Sequence, residues 1–97
     1  MSVTRDLKRQ LDLVAVVRLR GIDLKRTGVN YFALCPFHTE STPSFSVNTR
    51  THLWHCFGCG AGGDVYTFVQ KFDHVEFPAA YLKLQKLLAT TPAVRRA

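Results

Sequence analysis

Two short residue pairs constrain this chain more than anything else in it: Cys35-Pro36-Phe37-His38 and Cys56-Phe57-Gly58-Cys59. In each, two metal-ligating residue types stand three positions apart, and seventeen residues separate the pairs. Two ligands on a tight turn grip one side of a tetrahedron, and a second pair closes it, which is the spacing logic of a structural zinc site. With 97 residues the chain makes one small domain, which buries only about two-thirds of its unfolded surface. Chains not much smaller need a staple to stay folded. The three cysteines cannot all pair with one another, which points to metal rather than to a disulfide framework.

Four histidines compete for the fourth ligand position: His38, His52, His55 and His74. His38 has the gap that mirrors the cysteine pair. His55 adjoins Cys56 and in a strand would face the opposite way. His52 lacks a turn spacing to either pair, and His74 follows a helical stretch far away. The expected ligand set is therefore Cys35, His38, Cys56 and Cys59, around one structural Zn²⁺. Four protein ligands leave no open position for water or substrate, so the site is a staple and not a Lewis acid. Pro36 presets the first turn. Gly58 and Gly60 let backbone amides fold around the second pair and donate to sulfur.

The net charge is +6, and it is unevenly spread. Residues 1–26 carry +4, residues 27–70 carry −1, and residues 71–97 carry +3. The basic ends suggest a polyanionic partner or simply solvated helix faces. At 46% hydrophobic and 21% charged residues, the composition excludes a disordered tail. The longest apolar runs, Leu13–Val17 and Tyr31–Cys35, are five residues, against roughly 20 for a membrane span. No secretion signal opens the chain. The expected location is the cytoplasm, with no membrane partner.

The periodicity predicts a small α+β fold: antiparallel hairpins flanked by short helices, all in one domain over 1–97. Leu7, Leu11 and Val14 mark helix over about 4–20, as one helix or as two with Asp12 capping the second. Residues 22–34 read as a hairpin turning at Thr27-Gly28 and delivering Cys35. Ser44–Val47 and His52–Cys56 read as a second hairpin delivering the Cys-x-x-Cys, and the ribbon core spans about 22–63. Asp64 caps a helix over about 64–73, and Pro78 opens another over about 78–89. Residues 90–97 read as frayed, with Arg95 and Arg96 a solvated tail.

The ordered string Asn30-Tyr31, Leu34-Cys35-Pro36-Phe37-His38, Glu40, Thr42-Pro43-Ser44-Phe45-Ser46-Val47, His55-Cys56-Phe57-Gly58-Cys59-Gly60, Gly63-Asp64-Val65 and Phe68-Val69 resembles the CHC2 zinc finger. That is the zinc-binding domain of bacterial DnaG-type DNA primases. The resemblance runs from about Leu13 to Leu88. It implies a zinc ribbon with the four ligands above, and a role in recognising single-stranded template for primer synthesis. Family members commonly carry lysine where this chain has Phe32 and Ser41, so its ribbon surface has lost positive charge. The acidic residues are scattered, with no D-x-D pair to hold two Mg²⁺. The chain is thus expected to have no polymerase activity of its own.

The remaining candidates for a single strand are Lys25, Arg26, Asn30, Tyr31, Arg50, His52 and Trp54, because such sites combine cations with aromatic platforms. Tyr31 and Trp54 read equally as platforms or as ribbon core. The implied partners are single-stranded DNA and, in trans, a primase polymerase domain or a helicase. The alternative is a zinc-stapled protein-interaction module docking on a replication or mobile-element protein; a phage or mobile element is an expected source of such a chain.

Overall fold

The computed structural model describes residues 3–39 and 42–96. Glu40 and Ser41, one a motif position and the other a lost lysine, lie outside the described residues. Five strands form one antiparallel sheet in chain order: β1 (Lys25–Thr27), β2 (Asn30–Ala33), β3 (Phe45–Asn48), β4 (Leu53–Cys56) and β5 (Gly62–Gly63). Four helices accompany it: α1 (Val3–Gln10), α2 (Leu13–Leu19), α3 (Val65–Asp73) and α4 (Phe77–Thr90), followed by a 3₁₀ turn at Pro92–Val94. The result is the expected small α+β fold, with two helices rather than one before the sheet. Asp12 makes the break, because its carboxylate accepts from the Val14 amide and starts α2 anew.

Strand alternation sorts the sheet into two faces. Ala33, Phe45, Val47, Trp54 and Cys56 are buried on one face and pack with the helices. Phe45, Trp54 and Phe68 of α3 meet there with centroids 5.6–6.3 Å apart. Leu13, Val16 and Val17 of α2 and Ala80 and Leu84 of α4 complete the core. Among the described residues no polar or charged side chain is fully buried. The other face carries Lys25, Thr27, Asn30, Phe32, Ser46, Asn48, Leu53 and His55, none of them buried.

Asp64 caps α3 through its carboxylate, which accepts from the Thr67 amide, while its carbonyl accepts from the Trp54 indole at 2.9 Å. β5, absent from the sequence reading, consists of two glycines. A Cβ at Gly62 would come within 2.9 Å of the Trp54 carbonyl, so only a residue without a side chain pairs this closely.

The C-terminal segment corrects an expectation. Val94 is fully buried, Arg95 bridges to Leu11, and the Arg96 guanidinium donates to the carbonyls of Leu11 at 2.8 Å and Lys8 at 3.2 Å. These are carbonyls at and just past the end of α1, which a cation satisfies well. The segment is docked because one apolar residue and one arginine find partners distant in sequence.

Candidate metal centre

The two hairpins bring both ligand pairs to one end of the sheet. β2 ends at Ala33 and hands Cys35 into a turn, and β4 ends on Cys56 itself. One ligand atom from each of Cys35, His38, Cys56 and Cys59 lies within 4.8 Å of the others. Cys35 and Cys56 are buried, His38 is partly covered and Cys59 is exposed. His55 is exposed, on the sheet face opposite Cys56. His52 is engaged elsewhere, its Nδ1 accepting from the Leu13 amide at 3.3 Å. His74 ends α3 in a left-handed conformation.

The local backbone is shaped to hold this cluster. The Cys56 amide donates to Ala61 and the Gly60 amide to Cys56, both at 2.8 Å, so the second turn closes on itself. Gly60 has φ +79°, a left-handed conformation that glycine adopts without strain. The Phe57 amide ties this turn to Ser44 at the start of β3. In the first turn the Phe37 amide donates to Cys35 Sγ at 3.5 Å. The Phe37 ring reaches into the core, 5.2 Å from Trp54 and 5.9 Å from Phe68. The sequence reading assigns Phe37 no such role; its place between two ligands is the available signal.

The donor set fits zinc. Three sulfurs and one imidazole nitrogen are the usual partners of a tetrahedral structural site. The Nδ1 atom of His38 is buried and takes part in no hydrogen bond, so a cation there would satisfy it. Burial and the neighbouring Cys56 and Cys59 push the Cys35 thiol up to about 12. Burial also raises Cys56, but the Ser44 hydroxyl, the Cys59 amide and the adjoining thiols outweigh it and bring it down to about 6. Zinc ligation needs thiolates, and a divalent cation at this cluster would favour the ionised form of its sulfurs.

A family model described as the CHC2 zinc finger matches residues 1–96. The chain belongs to that family. Its CHC2 domain is 52% identical over 85 residues to a DNA primase of Pseudomonas aeruginosa, covering 88% of this chain and 13% of the relative. It is 47% identical over 78 residues to a DNA primase of Geobacillus stearothermophilus, covering 80% of this chain and again 13% of the relative. A crystal structure of the zinc-binding and RNA polymerase domains of the Aquifex aeolicus primase superposes with a TM-score of 0.86 at 34% identity. That match covers 100% of this chain and 23% of the other. The CHC2 chain therefore spans the zinc-binding domain of these proteins and not their catalytic part.

The candidate DNA residues do not form one surface. Lys25 and Asn30 lie on the open face of the sheet, Arg26 and Tyr31 on the helix-packed face near its edge. Tyr31 sits between two arginines, with Arg18 4.9 Å and Arg26 5.9 Å from its ring centroid. Arg50 is exposed in the β3–β4 turn, which Asn48 fixes by accepting from the Arg50 and Thr51 amides. Trp54 is 2% exposed and cannot offer a ring face to a base. Its position opposite Val47 and Gly63 puts it on the inner face, and this corrects its reading as a platform. Among the described residues no helix is long and apolar enough to cross a membrane.

Proposed function

We propose that this chain is the template-recognising module of a primer-synthesising apparatus, with Cys35, His38, Cys56 and Cys59 holding one structural zinc and the open sheet face receiving single-stranded DNA. The observation that carries this reading is the uncovered outer face. It bears Lys25, Phe32, Ser46 and His55 in one cross-strand row and Asn30, Asn48 and Leu53 in the next, with Arg50 exposed in the adjoining turn. Polar and apolar side chains interleaved over a pleated surface, flanked by cations, suit an extended single strand. Membership of the CHC2 family and the primase relatives support the same reading. Primer synthesis itself belongs to a polymerase domain or a helicase–primase assembly acting with this module.

Lys25 pairs with Asp23 at 3.4 Å, but both side chains are about 80% exposed, so the pair is weak and yields readily to a phosphate. With Lys25 and Arg50 as the outer-face cations, log K should fall against log salt with a slope near −1.4, at about −0.7 per phosphate. Fluorescence anisotropy of a short labelled oligonucleotide at several salt concentrations tests this. Binding weakened by Arg50→Ala, with zinc content and melting unchanged, supports it. Absence of binding even at low salt removes it and leaves the zinc-stapled protein-docking module.

A further inference from the structure

Phe32 is out of place for a structural phenylalanine. The chain has seven phenylalanines. Phe37, Phe45, Phe68 and Phe72 share the core aromatic cluster, Phe57 meets His55, and Phe77 meets Tyr66. Of the described phenylalanines only Phe32 has no ring partner, and it is not among the side chains packed on the core. Its neighbours Tyr31 and Ala33 turn inward, so Phe32 faces outward in the middle of β2.

The strand register sets Phe32 in a row that crosses the outer face. Lys25 stands opposite it on β1, Ser46 on β3, and His55 beyond Ser46 on β4. Strands are about 4.8 Å apart, so the Phe32 and His55 positions stand on the order of 10 Å from each other, with Ser46 between them. Beside Phe32 the surface sinks into a groove of about 470 Å³, lined by Ile22, Lys25, Phe32, Leu34, Pro36 and Pro43 among others. That volume is in the range of small-ligand sites. Apart from Asp23, Lys25 and the metal ligand Cys35, the side chains that line it are apolar. An apolar groove that holds an aromatic ring, with the exposed cation of Lys25 beside it, matches a nucleotide: the base is planar and π-faced, and the phosphate beside it is anionic.

We propose that this groove is a nucleobase site, in which one base of a bound single-stranded DNA stacks on Phe32 while the adjoining phosphate meets Lys25. The inference rests on the reading of the outer face as a DNA surface and makes Phe32 its base-contacting residue. The groove holds one base by stacking, and the row through Ser46 to His55 carries the strand across the sheet.

The test uses the whole zinc-loaded chain and a short fluorescein-labelled single-stranded DNA. Phe32→Ala should lower affinity about 5- to 150-fold, the effect of losing one base-stacking platform, with the salt slope unchanged. Lys25→Ala should instead reduce the slope by about 0.7. In Phe32→Trp the new indole should be quenched by the oligonucleotide, whereas buried Trp54 in the natural chain should not. An oligonucleotide made entirely of abasic sites should leave Phe32→Trp unquenched. Wild-type affinity in a folded, zinc-loaded Phe32→Ala overturns the inference, as does an unquenched Phe32→Trp with DNA bound. If Arg50→Ala weakens binding and Phe32→Ala does not, the DNA surface stands and the base site falls. If the natural chain binds no strand, both fall together. Should Phe32→Ala fail to fold, the quenching of Phe32→Trp decides.

Discussion

Truncating Trp54 to alanine removes the hub of the aromatic cluster, and the structure sets the size of the loss. The indole is 2% exposed and lies 5.2 Å from the Phe37 ring, 5.6 Å from Phe45 and 6.3 Å from Phe68. Its N–H also donates to the Asp64 carbonyl that begins α3. Removing a large aromatic side chain from a packed core costs about 3–5 kcal/mol. A lost neutral hydrogen bond contributes about 1 kcal/mol within that figure. The expected loss of about 4 kcal/mol is a large part of the roughly 5–15 kcal/mol that holds such a domain folded. Urea unfolding of the zinc-loaded proteins, followed by far-UV circular dichroism, measures it. Trp54→Phe keeps a ring but drops the donor, and should lose about 1–2 kcal/mol. Oligonucleotide affinity of the folded fraction should not change in either variant. A Trp54→Ala protein with an unshifted urea midpoint and lost DNA binding would refute the placement of Trp54 in the core.

Two further substitutions test contacts that the sequence did not announce. Arg96→Ala should cost about 1–2 kcal/mol, because two carbonyls lose a charged donor; hydrogen exchange should then quicken in residues 91–96, and unchanged exchange there would contradict the docking. His52 holds the Leu13 amide as a neutral acceptor, and burial, with the nearby Arg96 charge, lowers its pKa below the ordinary 6.5. A depressed pKa means that the neutral form is favoured on folding, so its contribution is present above pH 6.5 and is lost as pH falls through the folded value. His52→Asn, which tolerates the φ of +54° found here, should therefore differ from the natural chain most at neutral pH. Parallel stability profiles from pH 7 down to pH 5 would contradict this.

The ligand set and most elements were legible because each leaves a local signature. Cys-x-x-His and Cys-x-x-Cys are turn spacings, Asp12 and Asp64 are caps, and the Val65, Phe68 and Val69 stripe is helical periodicity. What escaped the sequence depends on distant partners. Two glycines carry no strand propensity, and β5 exists because Trp54 and His55 offer an edge to them. The polar-looking end of the chain docks because Val94 and Arg96 find α1 and Leu11. The mixed set of DNA candidates was separated only by register, since one-residue alternation sends Asn30 and Tyr31 to opposite faces.

Cys35, His38, Cys56 and Cys59 should jointly hold one metal ion, and zinc content measures this. The chain, purified and dialysed against metal-free buffer, should retain one zinc ion per molecule, as should His55→Ala and His74→Ala. His38→Ala should lose most of it. Structural zinc binding in small peptides reaches on the order of 10 kcal/mol, so the loss should come with a collapse of the folded far-UV spectrum at ambient temperature. Full zinc in His38→Ala, or a metal-free natural chain with the same spectrum and melting as the loaded one, would contradict a structural zinc held by these four residues.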